Sequence, residues 1–399
     1  MVSMDKIKEA ERLISGKILK TPLVYSPTFS RMFGCSIYLK LENLQKTGSF
    51  KIRGATYKVL THLKQIGPGG VVAASAGNHA QGVALAAKQA GIPATIVMPE
   101  WASISKQEAT RDYGGKVIIS GQNVGECLEK ARELAGEGKT FIHPFDDTDI
   151  IIGQGTIALE IFKDLPDTDM IIVPIGGGGL VSGIATAAKS IKPAVKVIGV
   201  QAAVCPSAFE SLKTGKIRKV DLKPSIADGI SIKQMGEVNF EIIRKKVDEI
   251  VLVEEEQIAA AILMLLERKK ILAEGSGAVP LAALMNGSVT PPPSKKIVLV
   301  ISGGNVDSPL LDRIINKGLI KNGRIVRLRL QLDDTPGSLA RLLTRVAQLN
   351  ANVLHITHER NVKDFPIYVT RVELELETRG TTHIEKITHE LQKEGYVLS

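Results

Sequence analysis

Lys51 stands in the stretch Lys46-Thr47-Gly48-Ser49-Phe50-Lys51-Ile52-Arg53-Gly54-Ala55, between an aromatic and an aliphatic residue. A lysine so placed is poorly solvated, and desolvation disfavours its charged form. A neutral amine at working pH is what Schiff-base chemistry with a carbonyl compound requires. The plainer reading is a lysine that snorkels its charge away from an apolar helix start. The rest of the chain decides between the two.

Four consecutive glycines, Gly176 to Gly179, follow the apolar run Met170 to Ile175 and open a helical pattern at Leu180. Backbone N–H groups without side chains can close on a phosphate at a helix N-terminus. A dinucleotide site would need an acid ending the next strand, and that strand ends in Gly199-Val200-Gln201. Asn78, in Ser75-Ala76-Gly77-Asn78-His79-Ala80-Gln81-Gly82, lies at a strand-to-helix turn. Its amide can bond a ring hydroxyl or cap the helix, and the N–H groups from Ser75 to His79 can hold a carboxylate. His79 itself reads as a packed turn residue. Ser302 ends an apolar strand before Gly303-Gly304-Asn305, where its hydroxyl can face a ring nitrogen or simply shape the turn.

The elements that must position these groups alternate. Strand runs at 37–44, 70–74, 94–98, 116–119, 170–175, 195–201 and 296–301 are separated by helical patterns. This rhythm predicts a parallel sheet covered by helices on both faces. The run Ser288-Val289-Thr290-Pro291-Pro292-Pro293-Ser294 has a linker's composition, but the α/β pattern resumes at once. The domain boundary is therefore placed at Lys321-Asn322-Gly323, giving domains 1–321 and 322–399. From Arg324, Val326, Leu328, Leu330 and Leu332 alternate with polar residues, the mark of a strand with one wet face. A helix from 338, a strand at 353–357, a turn at 361–364, a strand at 367–377, a helix at 382–394 and a strand at 396–398 complete a ferredoxin-like βαββαβ domain.

The 399 residues, 44% hydrophobic and 23% charged, are those of an ordinary globular protein. Met1 to Lys20 reads as an amphipathic helix with Ile7, Ala10, Leu13 and Ile14 on one face, without the apolar core of a signal peptide. A cytoplasmic location is expected, with no membrane contact. The three cysteines, Cys35, Cys127 and Cys205, have no metal-ligand spacing. Although the net charge is +9, basic residues are dispersed among acids and only 4% of residues are aromatic, which disfavours nucleic-acid binding.

In order along the chain, Ser49 to Ala55, Ser75 to Gly82, Gly176 to Leu180 and Ser302 to Asn305 together resemble the fold-type II pyridoxal-phosphate enzymes (tryptophan synthase β-like). The nearest resemblance within them is to the threonine dehydratases, or threonine ammonia-lyases. It implies two α/β lobes, the smaller roughly at 48–143, with pyridoxal 5'-phosphate in the cleft. It implies Lys51 as Schiff-base lysine and catalytic base, Asn78 on the cofactor's 3-hydroxyl, and Gly176, Gly177, Gly178, Gly179 and Leu180 around its phosphate. Ser302 would meet the pyridine nitrogen, and Phe50 and Gly229 would pack near the ring. Ser75, Ala76, Gly77 and His79 would border the substrate.

The tail resembles ACT domains, which are amino-acid sensors, on Asp333-Asp334-Thr335-Pro336-Gly337-Ser338-Leu339. An amino-acid or nucleotide effector is then expected at Asp334, Gly337, Ser338 and Leu339, with homo-oligomers as dimers or tetramers. Related serine racemases and dehydratases hold a metal ion through an acid where this chain has Gln201, so no metal ligand is assigned. The reaction implied is conversion of L-threonine to 2-oxobutanoate and ammonia, and of L-serine to pyruvate. The alternatives are an L-serine dehydratase, a serine racemase, or an amino-acid sensor with silent catalytic lobes. Ala76 stands where the racemases carry the second serine of Ser-Ser-Gly-Asn-His, which favours elimination over racemisation.

Overall fold

The computed structural model describes every residue except Val362, Asp364 and Ser399. The chain divides into two units, Met1–Asp307 and Ser308–Ser399. The helix Ser308–Lys321 belongs with the second unit, ahead of the boundary expected at 321.

The first unit contains two sheets where the βα rhythm alone predicted one. The larger runs in the order Leu23–Tyr25, Ser36–Leu41, Lys296–Ile301, Met170–Pro174, Lys196–Ala202, Glu249–Val253. All its neighbours pair in parallel except the first two strands, which are antiparallel. The smaller sheet is wholly parallel, in the order Gly115–Ile119, Ala94–Met98, Val71–Ala74, Thr140–Phe141. Each sheet contributes to its own apolar core: Ile171, Val173, Val298 and Val300 to one, Val71, Ala73, Ile96 and Met98 to the other. In both, the turns that carry the chemistry follow the carboxyl ends of strands, where open α/β sheets bind ligands. Ser75 follows Val71–Ala74, Gly176 follows Met170–Pro174, and Ser302 follows Lys296–Ile301.

Three helices set the floor beneath these turns. Lys51–Thr61 crosses Thr148–Asp164 at Gly54 and Gly153, where a Cβ on Gly153 would lie 2.6 Å from the Gly54 Cα. Thr148–Asp164 in turn meets Gly179–Ile191 at Gly183, whose Cβ would lie 2.3 Å from the Ile151 carbonyl oxygen. No larger residue fits these crossings without displacing backbone. Beneath the first crossing lies a buried set of charges. Arg53 donates to Glu42 at 2.7 and 2.8 Å and to Glu160 at 2.7 and 2.9 Å, and Lys40 pairs with Glu160. Arg53, Lys40 and Glu42 are wholly buried. Two cations against two anions offset the desolvation that each alone would suffer.

The N-terminal helix is Met4–Ile14 and buries Ile7, Ala10 and Ile14, whereas Leu13 is exposed rather than on the packed face. The Pro291–Pro293 segment lies inside the first unit, between Gly275–Met285 and Lys296–Ile301.

The second unit has strands Ile325–Asp333, Asn352–Glu359, Val369–Glu377 and Val397–Leu398 and helices Ser338–Gln348 and Thr381–Lys393. With Ile325–Asp333 leading, this is βαββαβ. The strands pair antiparallel in the order Asn352–Glu359, Val369–Glu377, Ile325–Asp333, Val397–Leu398. Leu328, Leu330 and Leu332 enter the core with Val372, Leu374 and Leu376, while Arg327 and Arg329 pair with Glu375 and Glu373 on the other face. The strand expected at 367–377 begins at Val369, and of the turn expected at 361–364, Val362 and Asp364 lie outside the described residues. No helix among the described residues is long and apolar enough to cross a membrane.

Candidate active site

Lys51 is the first residue of its helix, and the preceding turn is fastened to the end of strand Lys296–Ile301. Phe50 N–H donates to the Ser302 carbonyl at 3.0 Å, and Ser49 bridges Gly303. The Lys51 ammonium lies 5.3 Å from the centre of the Phe50 ring and donates to the Pro144 carbonyl at 2.8 Å. Burial pushes this amine down to about 8, against the pull of the Glu274 carboxylate. Desolvation, the effect anticipated from Phe50 and Ile52, is thus the leading cause.

Pro144 and Phe145 join the lysine to the glycine run. Phe145 covers Gly177 so closely that a Cβ there would lie 2.3 Å from its ring, and its carbonyl lies 3.0 Å from the corresponding point on Gly179. The helix Gly179–Ile191 starts from Gly178, at φ 101°, and no side chain caps it. Its first-turn N–H groups, Gly179 to Val181, are orphan donors without intrahelical partners, and Leu180 is buried among them. An uncapped, positively polarised helix end flanked by glycines is an anion site in wait.

Asn78 opens the helix Asn78–Ala90, but Gly77 occupies the cap position, so the amide does not cap. It donates instead to both oxygens of Glu274, at 2.8 and 2.9 Å, while its own oxygen accepts from Asn305 at 2.6 Å. Asn305 also donates to the Thr47 carbonyl at 2.9 Å. Burial, reinforced by the Asp228 charge, pushes the Glu274 carboxyl up to about 7. Gly229 sits in the turn Asp228–Ile230, where a Cβ would lie 2.7 Å from Ser276 Oγ. The hydroxyls of Ser49 and Ser276 are buried without a partner, and Ser302 is buried. An unsatisfied buried hydroxyl is costly unless something else completes it.

The N–H groups expected to hold a carboxylate are only partly available. Ser75 N–H donates to the Val97 carbonyl and Gly77 N–H to Ser75 Oγ at 3.2 Å, which leaves Ala76, Asn78 and His79 of that stretch, with Ala80 completing the first turn, for that purpose. The Ala76 side chain carries no polar atom. His79 is buried and donates from Nε2 to the Ile142 carbonyl at 3.0 Å. Burial, with Lys51 nearby, pushes its imidazole down to about 3, so it stays neutral.

Gln201 spends its amide on the helix Ser207–Thr214, accepting from Ala208 and Phe209 N–H and donating to Ser207 Oγ. Among the described residues no three His, Cys, Asp or Glu side chains gather as metal ligands would.

A depressed lysine amine, an uncapped glycine-lined helix end and orphaned hydroxyls between them fit an aldehyde that carries a phosphate. The family model for pyridoxal-phosphate-dependent enzymes matches residues 14–303. The chain belongs to that family. The L-threonine ammonia-lyase of Thermotoga maritima is 51% identical over 397 residues, covering 99% of this chain and 98% of that protein. Among solved structures, a threonine deaminase from T.th. is 39% identical with a TM-score of 0.72, covering 76% of this chain and 99% of that one. Maize serine racemase is 36% identical with a TM-score of 0.75, covering 80% and 98%. Pyridoxal phosphate is therefore the cofactor, held in a fold-type II framework.

Sequence reasoning placed Lys51, Asn78, the glycines and Ser302 in one neighbourhood, but assigned no role to Pro144, Phe145 or Glu274. Glu274 left one trace: a lone acid among small residues, Ala273-Glu274-Gly275-Ser276-Gly277, in a buried stretch. In the second unit, Gly337 caps Ser338–Gln348 at φ 87°, Ser338 Oγ meets Thr335 Oγ1 at 2.8 Å, and Arg341 donates to Ser338 Oγ at 3.0 Å. Asp334 accepts from Arg360 at 3.1 Å, and Leu339 packs at the edge of the core.

Proposed function

We propose that this enzyme dehydrates and deaminates L-threonine to 2-oxobutanoate and ammonia, and L-serine to pyruvate more slowly, in the cytoplasm. The observation that carries the reading is the Lys51 amine, held near 8 opposite an uncapped glycine cradle. The similarity to L-threonine ammonia-lyases over the full chain supports the choice of substrate.

When bound, pyridoxal phosphate supplies a carbonyl for the substrate amine and a conjugated ring that delocalises charge from the α-carbon. Gly179 to Val181 would hold its phosphate, Ser49, Ser276 and Ser302 would offer hydroxyls to its ring, and Phe145, packed over Gly177, would cover the cradle. The N–H groups of Asn78 to Ala80 hold the substrate carboxylate and turn the α-hydrogen toward Lys51. Lys51 Nζ removes that proton, a task suited to a base titrating near neutrality. Glu274 fixes the Asn78 amide and so its orientation toward the ring. The β-hydroxyl leaves as water with the proton that Lys51 Nζ took from the α-carbon, and the enamine that remains is hydrolysed in solution to the 2-oxo acid and ammonia. Ala76 places neither acid nor base on the face opposite Lys51, so a removed proton is not returned with inversion.

The second unit acts as a regulatory ACT domain, for which its βαββαβ order and the glycine-capped 333–339 loop are the support, and the enzyme works as a homo-oligomer. The test measures 2-oxo acid release from L-threonine and L-serine, with and without isoleucine, valine and AMP, together with D-serine formation. Faster release from threonine, with D-serine a trace beside pyruvate, is expected. D-serine equal to pyruvate would assign the chain to the racemases, and no 2-oxo acid from either substrate would remove the reading. Protein truncated after Asn322 should stay active and lose its effector response.

A further inference from the structure

The small lobe is joined to the larger one near the site by charges that the chemistry above does not use. Lys106, on the helix Ile104–Asp112, reaches across to Asp307 at 2.9 Å and to Asp228 at 3.5 Å. Ser103 Oγ, at the cap of the same helix, donates to Asp307 at 3.3 Å. The three charges are unequally exposed: the Lys106 side chain is 16% exposed, Asp307 36% and Asp228 67%. Burial disfavours the ammonium, yet the two carboxylates outweigh it and raise its pKa above the ordinary value. A carboxylate beside the first turn of a helix is also favoured by the helix dipole.

What these residues hold is the wall of the site. Asp228 precedes Gly229, whose backbone faces Ser276 and Glu274. Asp307 follows Asn305 by two residues, and Asn305 donates to Asn78. The charges of Asp228 and Lys106 both reach Glu274, with opposite effects. One lysine of the small lobe therefore ties together the two large-lobe loops that flank the Asn78–Glu274 pair.

We propose that Lys106 is a positioning residue, which pins the small lobe to the Asp228–Ile230 turn and to Asp307 and so holds the Gly229 wall against bound substrate. The inference rests on the proposed lyase reaction for its substrate arm only. Substrate binding draws on the closed arrangement, so a weaker pin lowers the closed population and with it the apparent affinity. The chemical step, once the lobes have met, uses Lys51 and is unaffected.

The test compares the holoenzyme with Lys106→Met, Lys106→Arg, Asp228→Asn and Asp307→Asn. Lys106→Met should raise KM for L-threonine about fivefold, the scale of one partly exposed ion pair, with kcat within about twofold. Lys106→Arg should restore KM, because a guanidinium spans the same two carboxylates. Combining Lys106→Met with Asp307→Asn should add little beyond either alone, as coupled residues do. Amide exchange is followed in the same proteins without substrate. It should quicken at 103–112 and 226–231 in Lys106→Met and remain unchanged at 325–333. Because that arm needs no substrate, it separates failure of the pin from failure of the assigned reaction. Unchanged exchange at 103–112, or fully additive effects of Lys106→Met and Asp307→Asn, would overturn the proposal.

Discussion

Replacing Lys51 by methionine should abolish activity and make the cofactor-free protein more stable at pH 7. The wild-type amine titrates at about 8 where an ordinary lysine titrates at 10.5. Each pKa unit corresponds to about 1.4 kcal/mol, so housing the ammonium destabilises the native state by about 3 kcal/mol. Methionine keeps the apolar stem and removes the charge, but forfeits the bond to the Pro144 carbonyl, worth about 1 kcal/mol. The net gain is about 2 kcal/mol. The sign follows from proton counts. Below pH 8 both states of the wild type are protonated and the penalty is complete. Between 8 and 10.5 the unfolded chain binds the extra proton, wild-type stability rises with pH, and the mutant's advantage disappears. Urea unfolding of the cofactor-free proteins at pH 7 and pH 10 measures this, since titrating groups that do not feel the Lys51 charge cancel in the comparison, leaving Lys51 and the groups coupled to it, Glu274, His79 and His143. A midpoint shift of about 0.5–1 M urea is expected at pH 7, and none at pH 10. A mutant less stable at pH 7, or a gain equal at both pH values, would refute the assignment of Lys51 as a desolvated amine.

Gly177→Ala should weaken cofactor affinity about tenfold or more, because the new methyl would lie 2.3 Å from the Phe145 ring and overpacking costs about 1–3 kcal/mol. Absorbance titration of the apoprotein with pyridoxal phosphate reads this out, and unaltered affinity would mean the ring swings aside freely. Arg53→Leu should lower stability by about 3–5 kcal/mol, since it leaves Glu42 and Glu160 buried with Lys40 alone. Chemical denaturation checks that value. Ala76→Ser should raise D-serine formation from L-serine about 10²-fold or more relative to pyruvate, measured by chiral amino-acid analysis.

The legible parts of the site were those whose signal is local. Lys51 beside Phe50, and four glycines between an apolar strand and a helix, show a candidate amine and a candidate anion site within ten residues each, and their occurrence in one chain chose between the readings. Glu274 could not be read that way, because its meaning comes from Asn78, 196 positions distant in the chain. The same limit hid Phe145, which matters only as the cover of Gly177. Among elements, the helix Gly275–Met285 was missed. It is buried on nearly every face and contains Pro280, so it has no amphipathic period and a residue that normally ends helices. Alternation of strands and helices fixed the fold class, but pairing between distant strands decided that there are two sheets. Strands as short as Thr140–Phe141 leave too few residues for any period to register. In the second unit the alternation from Val326 to Leu332 was enough, because one face is wet and the other is core.

The neighbour of strand Ser36–Leu41 is Lys296–Ile301, and this adjacency has a consequence for biosynthesis. Asn305 must reach the Thr47 carbonyl across 258 positions. At about 5–20 residues per second on the ribosome, the early strand waits roughly 13–50 s for its partner. Throughout that interval the edge that Lys296–Ile301 will cover stands open to the wrong neighbour. A nascent chain can display Lys51 long before it has Ser302 or Glu274, so cofactor capture belongs after synthesis of the first unit. Starving cells of pyridoxal phosphate should then leave translation undisturbed and add to a pool of completed, empty enzyme.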